Sequence, residues 1–435
     1  MQGGMRAGRG NRSRFGVLAA LLLVVIGFAP LYAFSANSLL AERGYRFDIY
    51  PRYVGAQAVW AGESPYAQAV TERIQMGMYG RVLPPDADQQ RFAHPAYSAV
   101  LLAPLLLLPP DIALPLWMTL QIAALFATPF LWLFILGWKP RPLLTALLVI
   151  GMIFVFRYPV LSYVWGQFTG GIVFLVSLSV WLMQRRRDAW AGAALAFAAV
   201  PPSVSGPLAL LLLGVWLLAG RWRAAAAFVA VLGAATLVSI ALVGWWFPDF
   251  LAGLRAYAEY AHPVWAFDYL PGFTHPLLIG ALVVAVLVSG WRAWCALRAM
   301  SGQGFMRQLP PDLLLFISIS ILACLLLLPQ TGNYYLVLGV PILMICAWRA
   351  RRQRRFRRGV TALLIVATIF SPWVWVIARL PDIETLVTPV LLGLTLGAAS
   401  FSAARAPRGT ATLEADAAHA AAGASARREA SAGMS

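Results

Sequence analysis

Long apolar runs dominate the chain, and few of them contain a charged residue. A helix needs roughly 20 apolar residues to cross the hydrocarbon core of a bilayer, so runs of this length predict membrane-spanning helices. We predict spans near 15–36, 112–136, 143–163, 168–184, 207–220, 224–244, 276–298, 312–329, 334–348, 359–378 and 385–402, and a weaker one at 189–202. The pattern predicts an all-α polytopic membrane protein with about twelve transmembrane helices in one membrane domain, 15–402.

The apolar stretch 96–108 has a different character. It is only about thirteen residues long and contains Pro104, which disfavours a straight helix. We therefore predict a re-entrant or interfacial segment instead of a span. This choice puts Lys139 and Arg141 on the same side of the membrane as the N-terminal tail, 1–14.

Basic residues then collect on that same side. The clusters are Arg6 to Arg14, Lys139 and Arg141, Arg185 to Arg187, Arg221 and Arg223, Arg292 to Arg307, and Arg349 to Arg358. Cytoplasmic loops of membrane proteins are enriched in Lys and Arg, so both termini are expected in the cytoplasm, including the Ala/Gly/Ser-rich tail 403–435, which we expect to be disordered. Two long loops, a first loop at 37–95 and a second loop at 245–275, should then be extracytoplasmic. The Arg- and Ala-rich composition suggests a bacterial plasma membrane.

Composition narrows the class of protein further. The chain is 60% hydrophobic and only 12% charged, with 34 Lys and Arg against 17 Asp and Glu, a net charge of +17. Such a sequence is too apolar for a soluble enzyme. In a soluble protein the positive charge would suggest nucleic acid, but the basic membrane loops explain it here, so no nucleic-acid partner is expected.

The first loop holds the most informative chemistry. It is rich in aromatic residues, and 49–62 alternates apolar and polar positions as an interfacial helix would. Asp48 precedes this helix, where partial desolvation would raise its pKa and make it a proton acceptor. An acid favoured by the helix dipole is the alternative.

Each of the other candidate site residues has two interpretations. His94 either forms an interfacial hydrogen bond or belongs to a site, and Gln167, beside Gly166, either contacts a sugar hydroxyl or caps a turn. Arg157 lies in an apolar stretch, a costly position unless it snorkels or meets an anion such as a lipid phosphate. Asn333 and Tyr334, in a short polar turn, either line a cleft or merely connect two spans.

The second loop contains three residues of types that bind metal ions. They are His262, Asp268 and His275, but their spacing matches no ligand motif. The three cysteines form no CxxC or Cys/His cluster either. We therefore predict no metal, and with no phosphate-binding loop in the sequence we predict no cofactor.

Three segments follow one another in the order FDIYPRYVGAQAVWAGESPYA (47–67), FAHPAYSAVLLAPLLLLP (92–109) and WGQFTGGIVFLVSLSVWLMQRRRDAWAGAALAFA (165–198). In this order they resemble glycosyltransferase family 87, which has the GT-C fold of polyprenyl-phosphate-sugar-dependent enzymes. The likeness extends over roughly 45–225 and more weakly to 400. Two departures stand out: 200–203 reads Val-Pro-Pro-Ser where the family commonly has Lys-Pro, and His94-Pro95-Ala96 replaces an aromatic-Pro-Pro pattern.

The resemblance implies a GT-C bundle in which the first loop forms interfacial helices over a lipid cleft. It implies that Asp48 is the catalytic base, with Tyr50, Arg52 and Tyr66 among the donor-binding residues. The expected activity is that of an inverting hexosyltransferase, with mannose as the expected sugar, at the extracytoplasmic face. Expected partners are the lipid-linked donor, a glycolipid, glycan or protein acceptor, and membrane lipids. A transporter or flippase for a lipid-linked sugar is the alternative.

Overall fold

The computed structural model describes residues 27–261, 263–300, 308–329, 332–380 and 383–400. These ranges are mostly helical and contain no strand. The predicted cytoplasmic tails, the start of the first predicted span and His262 lie outside the described residues. The all-α class predicted from the apolar runs is confirmed for the part described.

Seventeen α-helical segments follow one another in these ranges: α1 Ala41–Arg43, α2 Ile49–Trp60, α3 Gln68–Tyr79, α4 Tyr97–Leu101, α5 Pro110–Ile135, α6 Pro142–Ile150, α7 Arg157–Val164, α8 Thr169–Gln184, α9 Asp188–Ala198, α10 Ser205–Leu218, α11 Trp222–Val243, α12 Phe247–Ala261, α13 His275–Ala299, α14 Pro311–Leu327, α15 Gly339–Ala350, α16 Arg355–Ile377 and α17 Glu384–Ser400. Short 3₁₀ segments occupy Ala103–Leu107, Ala266–Tyr269, Gly272–Thr274 and Asn333–Leu338, and π-helical turns occupy Ser35–Leu40 and Gly151–Val155.

Five described helical stretches are long and apolar enough to cross a membrane, and a sixth qualifies if the bent pair around Phe156 is one span. That pair, Pro142–Val155 and Arg157–Val164, changes direction by 55°. Four further apolar helices, α8, α10, α14 and α17, are shorter. The protein is therefore a multi-pass membrane protein, while the count of about twelve spans stays a prediction.

Several of the long helices present apolar side chains outward. In α13 and α16, Leu277, Leu287 and Leu363 are among the large exposed hydrophobic residues. Contiguous apolar surface of this kind is unfavourable in water and is expected where helices face lipid. Lipid-facing helices are thus distinguished from α15, which is buried along most of its length.

Close helix contacts organise the centre of the bundle. The indole of Trp132 on α5 donates to Ser177 Oγ on α8 at 2.8 Å. Gly192 on α9 lies so near α11 that a Cβ there would clash with the Ala224 carbonyl oxygen. Small residues at such crossings let two backbones approach closely, as is common between membrane helices.

The first loop folds as two helices, α2 and α3, that pack on each other. Helix α2 is buried almost throughout and also contacts α4, α5 and α11. The eleven-residue stretch 97–107 forms only α4 and a 3₁₀ turn. A five-residue helix extends about 7.5 Å, which is too short to cross a bilayer. These short elements bring the first loop against the end of α7 and the start of α8.

Candidate active site

A tight turn between α7 and α8 holds the start of the first loop. The Asp48 backbone N–H donates to the Trp165 carbonyl at 3.1 Å. Gly166 follows at φ +65°, a left-handed conformation that favours glycine, and its ideal Cβ would lie 3.2 Å from Ile49 Cγ2. The indole of Trp117 donates to the Gly166 carbonyl at 3.2 Å. The turn is therefore held by one hydrogen bond from Asp48 and one from Trp117.

The side chain of Gln167 projects from this turn and links two charged groups. Its Nε2 donates to a carboxylate oxygen of Asp48, and its Oε1 accepts from Arg52 Nη2 at 3.0 Å. Gln167 and Arg52 are both buried. The amide fixes the distance between a carboxylate and a guanidinium that would otherwise pair directly.

Desolvation raises the pKa of Asp48 above its ordinary value of 3.8, while the positive charge of Arg52 opposes that effect. The residue as a whole remains partly exposed. A carboxylate that is reached by a ligand but poorly hydrated is a better proton acceptor than one in bulk water. The predicted change of pKa and the predicted position of Asp48 before a helix both agree with the structure.

His94 holds the guanidinium from its other side. Arg52 Nε donates to His94 Nε2 at 2.7 Å, so this imidazole nitrogen must be an acceptor. Burial and the charge of Arg52 lower the pKa of His94 well below 6.5. A neutral ring with its proton on Nδ1 fits both observations.

Arg52 is only 9% exposed, and its planar group lies over the Phe168 ring at 4.7 Å from the centroid. Two of its nitrogens, Nε and Nη2, are occupied by His94 and Gln167. The third, Nη1, is buried and makes no hydrogen bond to the described part of the chain. A buried donor without an acceptor is unfavourable, so Nη1 can donate to an anionic oxygen that reaches it.

Tyr66 and Tyr50 occupy two different parts of the first loop. Tyr66 donates its hydroxyl proton to the His94 carbonyl at 2.7 Å. It therefore helps to position His94, which accepts from Arg52 Nε. Tyr50 instead stacks on Tyr45, with ring centroids 4.7 Å apart, and its hydroxyl approaches Gly77. The structure thus brings Tyr66, but not Tyr50, into contact with the cluster of Asp48, Arg52, His94 and Gln167.

Tyr335 is a member of this region that the sequence analysis missed. It belongs to the 3₁₀ segment Asn333–Leu338, which packs against α7 and α8, and its hydroxyl lies 3.1 Å from Ser203 Oγ. Ser203 belongs to the Val-Pro-Pro-Ser segment that departs from the family pattern. The Tyr335 ring is tilted by 45° against the ring of the predicted Tyr334, with centroids 5.0 Å apart. The adjacent polar turn was the available signal, but sequence gave no way to choose between the two tyrosines.

Arg157 lies in a separate polar cluster. Its Nη1 is 2.5 Å from Glu384 Oε1, and Glu384 is fully buried. Asn333, another predicted site residue, accepts from Thr385 Oγ1 at 3.1 Å. The cation predicted to meet a lipid phosphate is therefore paired with a carboxylate of α17, a residue whose importance the sequence analysis overlooked because it sits at the edge of an apolar run.

The second-loop candidates make local contacts. Asp268 accepts from the Trp265 backbone N–H at 2.7 Å, and His275 Nε2 lies 3.1 Å from the Leu270 carbonyl. His275 also packs against the Phe267 ring at 5.5 Å. Both contacts stabilise turns within the loop itself.

The sequence profile of glycosyltransferase family 87 matches residues 92–372, more than half of the chain. The search of curated proteins found no match to this chain. The matched range includes His94 and Gln167 but begins after Asp48 and Arg52, so the geometry of the cluster is what connects those two residues to the family's region. On this evidence the chain belongs to glycosyltransferase family 87 and is a glycosyltransferase.

Proposed function

We propose that this protein is an inverting hexosyltransferase that moves a sugar, with mannose as the expected one, from a polyprenyl phosphate to an acceptor hydroxyl. The observation that carries the proposal is the Asp48–Gln167–Arg52 arrangement with its unpaired Arg52 Nη1. It joins a proton acceptor to an anion-binding donor, the two functions that this transfer needs. Membership of family 87 supports transfer over transport.

In the proposed reaction Asp48 accepts the proton of the acceptor hydroxyl. The hydroxyl oxygen attacks the anomeric carbon as the bond from that carbon to the phosphate oxygen breaks. Polyprenyl phosphate leaves as a stable anion and needs little help from an acid. A single displacement inverts the anomeric centre, unlike the retaining reaction that uses two carboxylates.

Arg52 stabilises the leaving phosphate in this proposal. A guanidinium donor to a phosphate oxygen forms a strong, charge-assisted hydrogen bond. Arg157 was the second cation expected there, but its ion pair with Glu384 supports a structural role, so the proposal assigns the phosphate to Arg52. The mechanism requires no metal and no cofactor.

The first and second loops hold this chemistry at the extracytoplasmic face in the proposal, because the positive-inside rule puts the basic turns on the opposite side. Impermeant thiol labelling of a Glu72→Cys variant in intact cells tests that placement. Labelling without permeabilisation is expected, and labelling only of opened cells would overturn it.

Transfer itself is tested with membranes that carry the full chain and a radiolabelled polyprenyl-phosphate sugar. The wild-type protein should pass label to a new product, and Asp48→Asn should lower the rate about 10²–10⁴-fold. Glu72→Gln is the matched control, since Glu72 is a partly exposed carboxylate of the same loop that accepts a hydrogen bond from Gln68 Nε2 on its own helix, at 3.2 Å. Wild-type turnover by Asp48→Asn would refute the assignment, and movement of intact donor across the membrane without a new product would favour the flippase.

A further inference from the structure

A pocket lies at the far end of α8 from the candidate active site. Its volume is about 380 Å³, within the range of small-molecule sites, roughly 300–1,000 Å³. Helix α8 begins just after Gln167 and its 16 residues extend about 24 Å to the pocket. The pocket is therefore separate from the Asp48 cluster. It is lined by Trp181, Leu182, Arg185, Arg187 and Trp190.

The turn between α8 and α9 divides its three arginines between two environments. Arg186 has a φ of +59°, a left-handed conformation that is uncommon for a residue other than glycine. Its guanidinium donates to the Met300 carbonyl at 2.9 Å, and neither of these two residues lines the pocket. Arg185 and Arg187, on either side of it, both line the pocket. The turn therefore presents two cations to one cavity.

The lining of the pocket is positively charged. Among the five described residues that form it, two are arginines and none is an acid. Asp188 follows Arg187 directly, but its carboxylate accepts two hydrogen bonds from Arg221 Nη1, at 3.0 and 3.1 Å. The pocket thus favours a ligand with a net negative charge.

Two indole rings supply the apolar part of the lining. The Arg185 guanidinium lies over the Trp181 ring, 4.8 Å from its centroid, in a cation–π contact. Trp190 is 68% exposed, and Phe197, seven positions further along α9, is exposed as well. Residues seven positions apart lie on one face of a helix. An exposed apolar face therefore extends from the pocket along α9, as is expected where a helix faces lipid.

An anionic phospholipid matches this combination of groups. Its phosphate can accept charge-assisted hydrogen bonds from both guanidiniums, and its glycerol and acyl chains can contact the indoles. Tryptophan is enriched at this level of a membrane, where apolar chains meet polar headgroups. Inorganic phosphate would leave the indoles without a contact, and a zwitterionic phospholipid would bring an ammonium group close to two arginines.

We propose that this pocket binds the phosphate headgroup of an anionic phospholipid, with the acyl chains along the exposed face of α9. The positive-inside rule puts the turn 185–187 on the cytoplasmic side, so the lipid belongs to that leaflet. The site is remote from Gln167, and its occupation does not depend on the proposed glycosyl transfer.

The charges of the pocket are tested by titrating the full chain in detergent with phosphatidylglycerol or with phosphatidylcholine of the same acyl chains. Native mass spectrometry measures the affinity for the first bound lipid. Arg185→Gln/Arg187→Gln removes both cations of the pocket. Lys139→Gln/Arg141→Gln is the matched control, because it removes the same charge from two exposed residues that do not line the pocket.

The wild-type protein should bind phosphatidylglycerol about tenfold or more tightly than phosphatidylcholine, since each arginine near a phosphate adds to the attraction. Arg185→Gln/Arg187→Gln should lose this preference, and Lys139→Gln/Arg141→Gln should keep it. Equal losses in the two double variants would overturn the inference, because they would show a response to net charge alone. Equal affinity of the wild type for the two lipids would overturn it too.

The aromatic wall is tested without a change of charge. Trp190→Ala should weaken phosphatidylglycerol binding several-fold, whereas Trp222→Ala, at another exposed tryptophan that does not line the pocket, should leave it unchanged. Unchanged binding in Trp190→Ala would contradict the proposed contact. Displacement of phosphatidylglycerol by an equal concentration of inorganic phosphate would also contradict it, and would make the pocket a site for free anions.

Discussion

The side-chain amide of Gln167 donates to the carboxylate of Asp48 although 119 positions separate the two residues along the chain. Asp48 belongs to the first loop and Gln167 to the turn between two buried helices, α7 and α8. The hydrogen bond therefore fixes a loop residue to the helical bundle. Asp48 is thereby held as precisely as a residue of the bundle, although it lies on a loop.

The raised pKa of Asp48 predicts that its charge destabilises the fold. A folded pKa above 3.8 means that the native state binds this proton more tightly than the unfolded chain. Stability is therefore lost as pH rises from about 3.8 through the raised pKa, and it stays lower above it. Asp48→Asn should have a higher Tm than wild type near pH 7.5, with the difference vanishing below about pH 4.

Thermal unfolding in one detergent at several pH values checks this expectation, with Glu72→Gln as the control at a partly exposed carboxylate. A lower Tm for Asp48→Asn at neutral pH would contradict it.

The raised pKa of Asp48 also determines the pH at which activity falls on the acid side of the pH–rate profile. Asp48 can accept a proton only when it is ionised, so kcat/KM should fall as pH decreases through a value above 3.8. Neutral His94 keeps its Arg52 contact over this range because its pKa lies well below 6.5. A pH–rate profile with labelled donor measures the limb, and a flat profile down to pH 4 would be inconsistent with the assignment.

Arg52→Lys should impair donor binding although it keeps the positive charge. A lysine ammonium cannot hold His94 and Gln167 in one plane while it offers a third donor to the phosphate. Loss of one charge-assisted hydrogen bond, about 1.5–3 kcal/mol, should weaken binding of a prenyl phosphate by about 10- to 100-fold.

A binding titration with the prenyl phosphate and the corresponding prenol makes the comparison specific. The prenol, which lacks the phosphate, should bind both proteins equally. Equal phosphate affinity for both proteins would exclude Arg52 from that role.

Gly166→Ala should reduce both stability and transfer. Its φ of +65° costs an alanine about 1–2 kcal/mol, and the new Cβ would press on Ile49, the neighbour of Asp48. Gly137→Ala is the matched control, because Gly137 has φ +57° and no atom within 4 Å of its ideal Cβ. Both variants should lose Tm, and only Gly166→Ala should lose turnover beyond that loss.

Arg157→Gln should destabilise the protein strongly. It would leave Glu384, which is fully buried, without its ion-pair partner at 2.5 Å. Breaking a buried pair costs about 3–5 kcal/mol, whereas removing both charges costs less. The double variant Arg157→Gln/Glu384→Gln should recover most of the lost Tm. Additive losses in the double variant would show that the two charges do not act as a pair.

Periodicity and composition were sufficient for the helical class and the membrane setting, because a bilayer imposes a length on apolar helices that is visible in one sequence. They also located Asp48 and Gln167 separately, one by its place before a helix and the other by a polar residue beside Gly166. Their contact could not be predicted, since hydropathy carries no information on which loop end meets which turn.

Arg157 shows the same limit of sequence analysis, because its environment could be predicted but its partner could not. Its charge in an apolar stretch correctly indicated an unusual environment, but its partner Glu384 lies 227 positions away. Both residues sit at helix ends, where a sequence cannot distinguish exposure to lipid phosphate from pairing with another helix. The partner changes the inferred role from ligand binding to structure.

The clamp of Trp165, Gly166 and Gln167 on residues 47–49 has a consequence for engineering within the family. Chimaeras that exchange the first loop alone would separate Asp48, the proposed base, from the Gln167 amide that donates to it. Only exchanges that move this segment together with residues 165–168 keep the two halves matched, so altered acceptor preference is best sought by swapping them as one cassette.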